Sequence, residues 1–175
     1  MIFIIPGFLV SMLTFPGVIL HEMAHKFFCD YYNITVFKVA YFRISSKAGH
    51  VTHEPIYDKD KETTVALAPF FINSLICMLF FIPYFLIYSF GTFFLWKISR
   101  LDVFLIWVGI SCGLSAVPSE TDLKHIPKDI SGIYFFFRAL SKGLNDLGFF
   151  GSMLWTFMLG CFCYMIAIVI GNIFY

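Results

Sequence analysis

Pro16-Gly17-Val18-Ile19-Leu20-His21-Glu22-Met23-Ala24-His25-Lys26-Phe27-Phe28 sets an H-E-x-x-H motif inside a long apolar run. On a helix, residues four apart are neighbours on one face, so His21 and His25 can direct two imidazoles at one cation. Glu22 lies one step round the same helix, where its carboxylate can reach a water held on that cation. Two neutral nitrogen ligands, an open coordination position and a general base are what a hydrolytic metal site requires. The competing reading is a pair of core histidines satisfied by hydrogen bonds. It suits a soluble helix better than this one, because ionisable groups in an apolar helix of membrane length carry a large desolvation penalty and mark function.

The surrounding chain has 175 residues, of which 59% are hydrophobic, 21% aromatic and only 13% charged. Soluble domains carry about 25% charged residues. The composition therefore predicts an integral membrane protein, with residues 1–175 folded as a single transmembrane domain and the lipid bilayer as its surroundings. A net charge of +1 and the lack of a basic run give no footing for nucleic acid. Cys29, Cys77, Cys112, Cys161 and Cys163 lie in or beside apolar segments with no C-x-x-C, and read as buried free thiols. The run Ile2 to Leu20 has no basic n-region and no small-residue cleavage site before His21, so a retained helix is expected rather than a signal peptide.

The expected fold is an all-α membrane protein with about four transmembrane helices and a small membrane-associated β-hairpin. A first helix is expected from about Ile2 to Cys29, with Pro6 and Pro16 inside it and a kink at Pro16-Gly17, one turn before His21. Val36 to Ile44 is rich in β-branched and aromatic residues, and Ser45 to Gly49 makes a short loop before His50-Val51-Thr52-His53. This reads as a hairpin, with His50 and His53 as surface or interfacial side chains. Asp58 to Glu62 reads as a solvated loop. The second helix, Thr63 to Phe90, contains Pro69 and Asn73. At about 1.5 Å per residue, Asn73 lies about 15 Å from Thr63 and His21 about 12 Å from Cys29. The depths match, so Asn73 is a candidate for orienting substrate or supporting a ligand, besides the simpler role of interhelical hydrogen bonding.

A short turn, Gly91 to Arg100, leads to a third helix from about Leu101 to Val117. Beyond Gly109 the helix weakens into Ser111-Cys112-Gly113-Leu114-Ser115-Ala116-Val117-Pro118-Ser119-Glu120-Thr121-Asp122. A Gly/Ser-rich end before proline predicts unwound backbone between Gly113 and Pro118, which a membrane permits where it lines a polar cavity. A catalytic metal site takes three protein ligands, and the H-E-x-x-H helix supplies two. Glu120 and Asp122 are the carboxylates at this point, with His125 behind them, while Asp122 also suits a helix N-cap before Leu123-Lys124-His125. Residues 123–148 are amphipathic and read as interfacial. The uncharged last helix, about Phe149 to Tyr175, reads as scaffold. Ten Lys and Arg fall in the loops where the first helix exits (Lys26, Lys38, Arg43, Lys47, Lys59, Lys61, Lys124, Lys128, Arg138, Lys142), against Lys97 and Arg100 on the other side. That asymmetry predicts a multi-pass cell-membrane protein with the motif towards the cytoplasm and both termini outside.

Taken in order, H-E-M-A-H in a membrane helix, the hairpin, Ala68-Pro69-Phe70-Phe71-Ile72-Asn73 and Pro118-Ser119-Glu120-Thr121-Asp122 carry a resemblance to the site-2 protease group of intramembrane zinc metalloproteases. The likeness covers about residues 10–125 and is nearest to small bacterial members. Ala68 to Asn73 is similar to the family's Gly-Pro-x-x-Asn pattern, and Pro118 to Asp122 stands where the family has a Pro-rich loop leading to Asp-Gly. Leu123 replaces that glycine, and no peptide-binding module or cystathionine-synthase-like domain is appended. The resemblance implies Zn2+ held by His21, His25 and Asp122, with Glu22 as catalytic general base. It also implies hydrolysis of peptide bonds in a membrane protein substrate, within or near the bilayer. The alternative is a non-catalytic metal-binding scaffold of the same fold, from which Glu22 would be expected to have been lost.

Overall fold

The computed structural model describes residues 7–44, 48–89, 100–124, 126 and 132–174. In chain order these form α1 (Gly7–Leu13), α2 (Phe15–Tyr31), β1 (Val36–Ala40), β2 (His50–His53), α3 (Lys59–Ser89), α4 (Arg100–Leu114), α5 (Glu120–Lys124), α6 (Ile133–Asp146) and α7 (Phe149–Phe174). The chain is mostly helical with one small antiparallel sheet, as the composition implies. Among the described residues, two helices are long and apolar enough to cross a membrane, over Lys59–Phe85 and Phe149–Ile170. At 17 and 15 residues, α2 and α4 are shorter than the expected spans. Pro6, Lys47, Lys97, His125 and Lys128 lie outside the described residues, as does most of the expected Gly91 to Arg100 turn.

The expected first helix is divided in two. Pro16 has no N–H, and its ring crowds the carbonyl four residues back. The break falls at Thr14 (φ −112°, ψ 27°), which puts Pro16 in the first turn of α2 instead of at a kink inside a continuous helix. Side chains from α4 bond the backbone around the break, where the Thr14 carbonyl also accepts the Val18 N–H at 3.2 Å. Trp107 Nε1 donates to the Leu13 carbonyl at 2.8 Å, Ser111 Oγ donates to the Thr14 carbonyl at 2.7 Å, and the Gly17 N–H donates to Ser111 Oγ at 2.8 Å. Repair by a neighbouring helix is what an apolar surrounding demands of a broken one. The approach is close: a Cβ on Gly17 would lie 2.0 Å from the Ser111 carbonyl oxygen.

The central helix, α3, packs against α2, α4 and α7. It begins at Lys59, so most of the expected Asp58 to Glu62 loop is helical. Asp58 caps it, with Oδ1 accepting from the N–H groups of Asp60 at 3.0 Å and Lys61 at 3.3 Å. Asp60 and Glu62 face the positive end of the helix, which stabilises this early start. Leu67, Phe70, Asn73 and Cys77 of α3 are buried. Cys29, Cys112 and Cys163 are also buried free thiols, whereas Cys161 faces outward. Along α7, Phe157, Met158, Phe162, Met165 and Val169 are exposed.

Two irregular segments position the site. The hairpin pairs β1 with β2 in antiparallel register from Val36↔His53 to Ala40↔His50, with an irregularity between Val36 and Lys38, and lies on α2. The third helix stops at Leu114, three residues short of expectation. Residues 115–119 are non-helical before α5 starts, which is the unwinding expected between Gly113 and Pro118.

Candidate metal centre

His21 and His25 lie edge-to-face along one face of α2, with ring centroids 5.0 Å apart. Each Nδ1 meets a backbone carbonyl: Ser115 O at 2.7 Å for His21, and Val65 O at 2.9 Å for His25. A carbonyl can only accept, so Nδ1 carries the proton in both rings, and the neutral form of each imidazole presents the lone pair of Nε2. His25 Nε2 is buried with no hydrogen-bond partner among the described residues. A buried lone pair of that kind suits a metal ligand.

Asp122 supplies the third donor. Its Oδ1 lies 3.4 Å from His25 Nε2 and its Oδ2 3.5 Å from His21 Nε2. The three residues each offer a donor atom within 4.8 Å of the others, a grouping that could hold a metal ion. Ligands bound about 2.0–2.2 Å from a tetrahedral zinc sit roughly 3.3 Å apart, so the donor set fits such an ion with little adjustment. Asp122 is not the N-cap of its helix. Ser119 caps α5, and its N–H and Oγ donate to Asp122 Oδ2 at 2.8 and 2.7 Å, while the Asp122 N–H points back at Ser119 Oγ at 3.4 Å. This reciprocal capping box holds the carboxylate towards α2. Ser119 went unread in the sequence, although Ser119-Glu120-Thr121-Asp122 spells the S-x-x-D signature. Glu120 is exposed and turns to Lys124, 3.9 Å away.

No family model, curated protein or solved structure matches the chain. The site is therefore read from its own geometry.

Glu22 is buried, 8% exposed, and is covered by the hairpin. A Cβ on Gly49 would lie 2.5 Å from Glu22 Cγ and 2.7 Å from Oε1, so only glycine allows this approach. Glu22 shares a cavity of about 430 Å3 with the His21, His25 and Asp122 side chains. His50 and His53 form part of its wall and are half-buried, outside the three-residue donor group. Sequence alone could not foresee this, because strand alternation does not say which face of a hairpin meets a distant helix. Gly49→Ala is expected to push the Glu22 carboxylate aside by an ångström or more. Any activity that depends on the Glu22 carboxylate should fall by about 100-fold, while metal binding by His21, His25 and Asp122 is unchanged. Metal-binding and activity measurements on one preparation check this, and an unaffected Gly49→Ala would show that the hairpin does not sit on Glu22.

Asn73 is fully buried on α3. Its Nδ2 donates to the carbonyls of Gly17 at 3.0 Å and Ser115 at 3.1 Å. The Ser115 carbonyl thus holds both the Asn73 amide and the His21 ring, which binds the start of α2, the unwound end of α4 and one ligand into a single network. With both amide hydrogens engaged by backbone, Oδ1 is the atom of Asn73 left to meet anything else.

Proposed function

We propose that the chain is an intramembrane zinc metalloprotease of the site-2 protease kind, with His21, His25 and Asp122 as metal ligands and Glu22 as general base. One observation carries this reading. Both histidines are locked in the tautomer that aims Nε2 at Asp122, and a buried carboxylate that is not one of the three donors lies beside them. Two neutral imidazoles and one carboxylate are a donor set that hydrolytic zinc takes, and it leaves a coordination position open. When bound, the ion supplies Lewis acidity that polarises a carbonyl and acidifies water.

The chain's own residues do the rest. Glu22 accepts a proton from the attacking water and returns it to the departing amine. Gly49 holds the Glu22 carboxylate in place, and Ser119 holds Asp122. A helix hides its amides, so a membrane-spanning substrate unwinds before cleavage. The hairpin beside the cavity offers a strand edge that keeps the unwound segment extended. The apolar outward face of α7 is suited to acyl chains, and about four crossings are assigned by counting α2 and α4 with the two longer helices. Asn73 supports the site from behind and is placed to orient substrate through Oδ1.

Two experiments test the proposal. Purified protein should contain one zinc per chain. Membranes from cells expressing Glu22→Gln should accumulate uncut proteins whose cleaved forms appear with the wild type. Stoichiometric zinc with no cleaved protein in either would leave the non-catalytic scaffold. The Lys and Arg asymmetry sets the orientation, with the residue 30–62 segment cytoplasmic. A cysteine introduced as Asp58→Cys in an otherwise cysteine-free chain should resist an impermeant thiol reagent in intact cells and react after permeabilisation. Ready labelling of intact cells inverts the topology.

A further inference from the structure

We infer that Pro69 is a positioning residue of the metal centre: by withholding one backbone N–H, it releases the Val65 carbonyl to hold His25. The inference rests on the metal-site reading above and adds a residue that is not itself one of the three ligands.

In an α-helix the N–H of residue 69 bonds the carbonyl of residue 65. Pro69 lies inside α3 and has no N–H, so that bond is missing. The proline ring also crowds the same carbonyl and tilts it off the helix axis. A buried carbonyl without a partner destabilises the fold unless another donor reaches it. The donor here is His25 Nδ1, at 2.9 Å and also buried. The bond that α3 lacks is thus made across to α2.

Its consequence for the site is direct. The Val65 carbonyl fixes which nitrogen of His25 carries the proton, and so turns Nε2 towards Asp122, 3.4 Å away. Outer partners of this kind set ligand orientation and basicity. Pro69 itself is fully buried, so its distance from solvent fits action through the backbone rather than on substrate. Pro83, the second proline inside α3, provides a comparison within the same helix. The carbonyl it frees belongs to Leu79, a residue 59% exposed, on the far side of α3's length from His25.

The test uses the full-length chain in detergent. Pro69→Ala and the nearly isosteric Pro69→Val restore the donor, and Pro83→Ala is the control. Zinc affinity is measured by competition, thermal midpoint by unfolding, and the His25 tautomer by ring nitrogen-15 shifts in metal-free protein. The expected result is a loss of affinity of about 10- to 100-fold in the Pro69 variants, with a thermal midpoint equal to or above wild type. His25 should shift towards a mixture of tautomers. Pro83→Ala should leave both affinity and tautomer unchanged.

This opposition of sign separates positioning from structure, since a purely structural proline would lower stability and affinity together. Unchanged affinity and tautomer in the Pro69 variants overturn the inference, as does an equal loss in Pro83→Ala. Failure of both Pro69 variants to fold also overturns it, because it would make packing the reason for the proline. If the wild type binds no zinc, the metal reading falls, and the tautomer shift still decides the role of Pro69.

Discussion

If the proposed mechanism holds, Glu22→Gln is expected to keep zinc and to lose peptide hydrolysis by about 100- to 10,000-fold, the usual range for removal of a general base. Glutamine has the shape of glutamate, so the close contact with Gly49 is preserved and the hairpin has no cause to move. It cannot accept a proton, and that is the one function removed. Zinc stays because the donor group consists of His21, His25 and Asp122 and does not include Glu22. Folding is not at risk, since a buried neutral amide is easier to desolvate than a buried carboxylate. Zinc content and cleavage measured on one preparation decide the matter. Full activity in this variant sinks the mechanism.

On the proposed ligand set, Asp122→Asn is expected to lose zinc and Glu120→Gln to keep it. Partners one shell out commonly account for 10- to 100-fold in metal affinity, so loss of a ligand itself should exceed about 100-fold. Asp122 faces both Nε2 atoms, at 3.4 and 3.5 Å, and is clamped by Ser119. Glu120, two residues earlier, points into solvent beside Lys124. His21→Ala and His25→Ala should lose zinc together with Asp122→Asn. Metal analysis of the purified variants checks this, and stoichiometric zinc in the double histidine variant would place the site elsewhere. Zinc retained in Asp122→Asn but lost in Glu120→Gln would transfer the third position to Glu120.

The motif was legible because it is local. His21 and His25 share a helix face by the 3.6-residue period alone, and Glu22 follows from the same count. The hairpin, the long α3 and α7 helices and the unwinding after Gly113 were also readable, each from its own stretch of β-branched, apolar or Gly/Ser/Pro residues. Helix ends were read less well. Asp58 extended α3 backwards through a cap, and Pro16 opened α2 where it was expected to bend a longer helix. Both outcomes depend on where freed backbone groups find partners. For Leu13, Thr14 and Gly17 those partners are Trp107 and Ser111, more than ninety residues away.

By itself the sequence determined an apolar, mostly helical chain carrying two histidines and a glutamate on one face of a helix. Periodicity and composition act within a few residues, and these features need nothing more. Only the tertiary structure placed Asp122, and not Glu120, beside the two histidines, seated Gly49 on Glu22, and brought Ser115 and Val65 to the two Nδ1 atoms. The two pairings of carbonyl with imidazole join residues 40 or more positions apart. They arise because a backbone group unpaired in its own helix must find a donor or acceptor in another, and the sequence does not say which helix lies beside it.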